Sequence, residues 1–275
     1  MDRSSLKLFE HNIVEIPQLK QINTDAGRRY ETPSGTLYPS ITTILSHKSK
    51  PFIDAWRKRV IEGLPWGSIA GNADNTEAVE RIIPIAIRYA LRPSELARAV
   101  IANTSLTQND GTVLAMTAAY GSVLGMLIEG HRLDEKISEK LLMRVKAGVL
   151  PFHTITKGKL EAPDKNQKEN RVDGVFPSPD ALLTPSNIAR AANDPAISIE
   201  PASKVGLLYG LPCAVYHQFP AAYYLAARFS NDFESAVLHA INGGGQNLSR
   251  AMLSGTLAGA MVGLSGIPER FIAGL

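Results

Sequence analysis

The chain has 275 residues, 44% of them hydrophobic and 20% charged, which excludes wholesale disorder and suffices to bury a core without disulfides or metals. Its net charge of +3 lies wholly near the N-terminus: residues 1–62 hold 10 Lys/Arg against 7 Asp/Glu, and the remainder is balanced. That surplus is too thin for the dense basic stripe of a dedicated nucleic-acid binder. The lone Cys213 excludes an internal disulfide framework and points to a reducing, cytoplasmic setting. Within Leu211-Pro212-Cys213-Ala214 it reads as a small buried hydrophobe.

Residues 1–62 differ in texture from the rest. Arg28-Arg29-Tyr30-Glu31-Thr32 and Thr36-Leu37-Tyr38 flank Pro33-Ser34-Gly35, a turn signal between two β-prone runs. Pro51 then opens a helix through Val60, so the segment reads as a hairpin plus helix. After Gly63 the signals are helical. Glu77–Leu91 sets Val79, Ile82, Ile83, Ala86 and Ile87 at helical spacing, with Pro84 expected to kink the helix. Ser94 is placed to cap residues 95–102. Gly111–Glu129 is apolar all round, hence buried on most sides, and Leu133–Lys146 is amphipathic.

Residues 151–210 read as a long loop with one short helix at 186–192. Helices follow at 217–229, 232–242 and 247–263, with a short one at 268–273. The charge-free stretch Ala251–Ile267 is short for a bilayer span and rich in small residues, so it reads as a buried helix of a domain with no membrane partner. The expected architecture is mostly all-α, a helical domain over 63–275 behind a small N-terminal α+β appendage over 1–62.

One local feature points toward a ligand. Asn242-Gly243-Gly244-Gly245-Gln246-Asn247-Leu248-Ser249-Arg250 sets three glycines before a helix, where the free N–H groups of the helix start favour an anion or a metal-bound oxyanion. A plain helix–helix turn has the same spacing. In the helix that follows, Ala251, Ser254, Gly255, Ala258 and Gly259 make a flat stripe suited to close packing. The six histidines are scattered, which argues against zinc. The acidic pairs Asp134/Glu135 and Asp232/Glu234 fall at helix starts, where they complement the dipole.

The C-terminal motifs carry a resemblance. Phe219-Pro220-Ala221-Ala222-Tyr223-Tyr224-Leu225, Asp232-Phe233-Glu234-Ser235-Ala236, the glycine turn through Arg250, Gly255–Ala260 and Gly266-Ile267-Pro268-Glu269-Arg270 resemble the ADP-ribosylglycohydrolase family. The Gly-Gly-x-Asn-x-x-Arg form is similar to its J-type crystallin branch. Gly71-Asn72, Glu80–Ala86 and Thr104–Gln108 follow the family's middle section. The resemblance implies an all-α fold and two magnesium ions, held by a Thr-Asp-Asp cluster and by a Gly-Gly-Asp-x-Asp-[Thr/Ser] motif. It also implies hydrolysis of ADP-ribosyl bonds and a ligand site at Gly244, Gly245, Gln246, Asn247, Ser249 and Asn72.

Residue by residue, Gln246 falls on the first Asp of the second motif, Leu248 on the second, and Ser249 on the hydroxyl ligand. The N-terminal cluster has no counterpart. Magnesium wants carboxylate oxygens, and each lost charge forfeits roughly 4 kcal/mol at about 4 Å in an effective dielectric near 20. The expectation is therefore a catalytically impaired relative that retains no magnesium ligands and takes an ADP-ribose-type ligand.

Residues 1–62 carry a second resemblance. Gly27-Arg28-Arg29-Tyr30, Tyr38-Pro39-Ser40-Ile41-Thr42-Thr43 and Ala55-Trp56-Arg57-Lys58-Arg59-Val60 resemble the start of phage RecB-like exonucleases. This implies Arg28, Arg29, Arg57, Lys58 and Arg59 as phosphate contacts in a nucleic-acid alternative. In the resembled hydrolases an N-terminal helix packs beside the helix that follows the glycine motif. With that helix missing, the small-residue stripe is expected to drive homo-oligomer formation.

Overall fold

The computed structural model describes residues 30–31, 37–38, 50–152 and 179–273, and these are mostly helical, as the sequence predicts. The chain divides into two compact units, residues 1–73 with 105–109, and residues 74–104 with 110–275.

In the first unit, β1 (Tyr30–Glu31) pairs antiparallel with β2 (Leu37–Tyr38), Tyr30 opposite Tyr38. Helix α1 (Lys50–Trp56) runs on into a wider helical turn, Arg57–Ile61. The strand pair and the helix stand where the sequence places them, and the Pro33-Ser34-Gly35 turn lies outside the described residues. Gly71 sits against residues 107–109, its N–H donating to Thr107 O at 3.0 Å and its carbonyl accepting from Asn109 N at 2.7 Å.

The second unit is a stack of helices: α2 (Glu77–Tyr89), α3 (Pro93–Thr104), α4 (Gly111–Ile128), α5 (Ile137–Lys146), α6 (Pro179–Asn193), α7 (Val205–Tyr209), α8 (Val215–Arg228), α9 (Phe233–Ile241), α10 (Asn247–Val262) and α11 (Glu269–Ile272). Helix α4 is the axis, packed against α2, α3, α5, α6, α8 and α10. Its start is fixed by Asp110, whose carboxylate accepts from Thr112 N at 2.9 Å and Val113 N at 3.0 Å. It is long and apolar enough to cross a membrane, yet it is buried over most of its length.

Several expectations shift. Helix α3 begins at Pro93 rather than behind Ser94, because proline suits a first helical turn. Residues 179–193 form a full helix where only 186–192 was expected, and α7 was read as loop. The sequence reads Pro185 as a break, but α5 mends it. Ser186 N donates to Ser138 Oγ at 3.2 Å, and Ser138 N donates to Ser186 Oγ at 2.8 Å.

The small-residue stripe on α10 is not an open groove. A side chain at Gly255 would meet Val237 at 3.1 Å and Phe233 at 3.9 Å, and one at Gly259 would meet Phe233 at 3.6 Å and Ile267 at 3.8 Å. Helix α9 of the same chain thus fills the face reserved for a second copy. Self-association through this stripe loses its physical basis.

Candidate functional site

Three segments of the second unit meet at the glycine turn. The turn itself runs from Gly243 into α10, with Gly244 (φ 68°) and Gly245 (φ 58°) both in the left-handed region that favours glycine. The loop before α8 lies against it: Gln246 N donates to Leu211 O at 3.0 Å. The same loop holds the start of α2, where Thr76 N donates to Cys213 O at 3.0 Å and Val215 N donates to Asp74 O at 2.8 Å.

Gly244, Gly245, Gln246 and Asn247 are exposed and form one arc. Leu248 is exposed at 77%. Ser249 turns the other way. It is buried, and its hydroxyl donates to Thr76 Oγ1 at 2.7 Å; Thr76 Oγ1 donates in turn to Glu80 Oε1 at 2.8 Å. The structure therefore separates Ser249 from the arc with which the sequence grouped it. Asn72 is exposed and belongs to the first unit.

Beneath the arc lies Arg250, wholly buried, its guanidinium donating to Gly244 O from Nη1 at 3.1 Å and from Nη2 at 2.6 Å. Burial pushes its pKa below the ordinary guanidinium range. An open depression lies on the α9 side of the turn, lined by Asp232, Glu234, Ser235, Leu238, His239, Asn242 and Pro268. Asp232 caps α9, accepting from Ser235 N at 3.0 Å, and this bonding holds its carboxyl below the usual range. That acid is structural, as its place at a helix start suggests.

Thr76, Glu80, Leu211 and Arg250 are the positions that sequence reading missed. Thr76 and Glu80 are one helical turn apart, a visible pattern at a helix start. Their link to Ser249 spans 173 positions and has no local signal. Cys213 is also corrected: it is exposed, not buried. Its loop turns the Leu211 and Cys213 carbonyls toward the site, and the thiol faces out.

Glu77, half-buried at the start of α2, has its carboxyl pushed up to about 7, first by burial, then by Glu80, against the opposing pull of Arg81. Unfolded, it titrates near 4.5. The folded state binds the proton more tightly, so the penalty is absent below the unfolded value and complete above the folded one. Glu77→Gln should stabilise the protein by roughly 1 kcal/mol at about pH 8, after discounting for solvent screening, and not at about pH 4. Urea midpoints at both pH values check this. An equal gain at both would mean that titration is not the cause.

The basic residues assigned to nucleic acid are engaged within the first unit. Arg57 pairs with Glu62 at 3.1 Å, Lys58 Nζ donates to Ala70 O at 3.2 Å, and Arg59 Nη1 donates to Leu64 O at 3.3 Å while lying 5.0 Å over the Trp66 ring. Arg28 and Arg29 lie outside the described residues.

No curated protein matches the chain significantly. A family model does, and its match takes in residues 30–62, whose motifs the sequence reading set apart, together with the whole helical unit. That model is described as ADP-ribosylglycohydrolase, it covers residues 30–275, and the chain belongs to this family.

Proposed function

We propose that this family member binds an ADP-ribose-type ligand on the exposed arc Gly244–Asn247 and lacks the magnesium-dependent hydrolysis of its relatives. The observation that carries the reading is the donor set of the turn. Gln246 and Leu248 stand where the resembled motif has aspartates, both exposed and neither a carboxylate. Ser249, the hydroxyl position, spends its proton on Thr76 and is buried. Among the described residues, no three His, Cys, Asp or Glu side chains converge to hold an ion. A hard divalent cation wants several oxygen ligands, mostly anionic, and this turn does not fit one.

Calorimetry with ADP-ribose, with and without magnesium, tests the reading alongside a release assay on an ADP-ribosylated peptide. Metal-independent binding without release is expected. Binding that requires magnesium, or release above the uncatalysed rate, overturns it. Silence in every arm favours a structural protein of the crystallin kind. The nucleic-acid alternative rests on Arg57, Lys58 and Arg59, whose existing partners any phosphate must displace. A DNA shift that weakens steeply with salt would support it nonetheless.

A further inference from the structure

We infer that a second copy of this chain docks on the leucine-rich face around the glycine turn. The inference goes beyond the proposed function and does not depend on it. Helix α7 and the loop after it carry most of the face. Leu207 and Leu208 are each 67% exposed, and Leu211, Cys213 and Tyr216 are exposed as well. The glycine turn brings Leu248 beside them. A side chain at Gly206 would meet Gly243 O at 3.3 Å, and one at Gly245 would meet Leu211 Cβ at 2.6 Å. Four exposed leucines thus surround one short turn, although the same segment has inward positions, which Val205 and Val215 fill.

Size points to a protein as the occupant. The four leucines and Tyr216 expose on the order of 500 Å², toward the upper end of the patches that free monomers show. The exposed glycine arc, Pro212 and Cys213 extend the face toward the ~800 Å² that each partner gives to a stable interface.

Charge points to the chain's own copy. No Asp, Glu, Lys or Arg occurs from Val205 to Ala227 or from Ala240 to Ser249. Such a face has nothing to steer a charged partner, and it meets itself without like-charge repulsion. In a two-fold interface each residue of one copy faces a different residue of the other, reciprocally. The ends of this face suit that arrangement. Exposed Lys204 stands just before α7, and exposed Asp74 stands at the other end, accepting from Tyr216 OH at 2.6 Å. An antiparallel pairing sets Lys204 of each copy toward Asp74 of the other. The arc Gly244–Asn247 lies within the face, so a docked copy and a bound ligand exclude one another.

The experiment is sedimentation velocity on the full chain across a dilution series, with maleimide labelling of Cys213, the only thiol in the chain, at each concentration. A reversible dimer at about 10 μM that dissociates on dilution is expected, and Cys213 should label more slowly as it forms. Leu208→Glu, at an exposed position, should weaken the dimer by about tenfold or more. Leu264→Glu is the control. Leu264 is equally exposed but lies beyond the far end of α10, so its charge should leave the dimer unchanged. A monomer at every concentration, a dimer that Leu208→Glu leaves intact, or one that leaves Cys213 labelling unaltered overturns the inference. A monomer whose Cys213 is already shielded also overturns it and makes the cover a segment of the same chain. ADP-ribose that binds should split the dimer, and ADP-ribose bound to an intact dimer overturns docking over the arc. If a permanent monomer binds ADP-ribose, the proposed function survives and the dimer falls. If the dimer forms and ADP-ribose does not bind, the reverse holds.

Discussion

Gly245→Ala should cost about 3 kcal/mol of stability, whereas Gly244→Ala, one residue earlier, should cost about 1 kcal/mol. Both residues have positive φ, so both substitutions carry the strain of a Cβ in the left-handed region. They differ in surroundings. A Cβ at Gly244 meets nothing within 4 Å, but one at Gly245 lands 2.6 Å from Leu211 O and 2.9 Å from Leu211 Cα, which are backbone and cannot swing aside. The same collision breaks the Gln246 N to Leu211 O bond that seats the turn on the α8 loop. Urea midpoints at constant m-value measure the difference. Equal costs for the two substitutions would disprove the close approach of turn and loop.

Phe219→Ala should lower stability by about 4 kcal/mol, a large part of what a domain usually has. Phe219 is buried on α8 and stacks on Tyr120 of α4 at 5.2 Å, with Tyr223 at 6.4 Å. Tyr120 in turn donates its hydroxyl to Leu253 O of α10 at 2.9 Å. Deleting the ring leaves a cavity at the junction of three helices and frees Tyr120 to tilt away from α10. Phe219→Leu, which keeps most of the volume, should cost only about 1.5 kcal/mol. A calorimetric melting series on the two variants gives the comparison, and near-equal losses would show that ring stacking contributes little.

The helices that the sequence announces most clearly are those whose signals are local. Helix α2 shows Val79, Ile82 and Ala86 on one buried face, and α4 shows unbroken apolarity. Helix α6 was hidden by Pro185, because the groups that repair the break come from Ser138, 48 positions away. The glycine turn was visible as a motif, and Gly244 and Gly245 do take the left-handed backbone that glycine favours. The inward rotation of Ser249 was not visible, since Thr76 meets it only in the folded chain. The stripe on α10 was correctly seen as a surface for close packing. Its occupant was misjudged because no pattern in Phe233 or Val237 declares which face of which helix they cover. Turn chemistry and periodicity are written locally, and pairings across the fold are not.

The burial of α4 has a consequence for the life of the chain outside its native state. An 18-residue segment without a charged side chain, Gly111–Ile128, is buried over most of its length, so its apolar surface stays out of water only while α2, α3, α6, α8 and α10 surround it. Any opening wide enough to release α4 presents a continuous oily strip as long as a membrane crossing. Transiently exposed apolar surface of this kind is prone to aggregate before it is covered again. Durability is then set by how rarely the bundle opens rather than by the equilibrium it would reach if opening were reversible. Heated samples should precipitate at a rate that tracks unfolding, and substitutions that loosen the jacket around α4 should shorten shelf life more than they depress the melting midpoint.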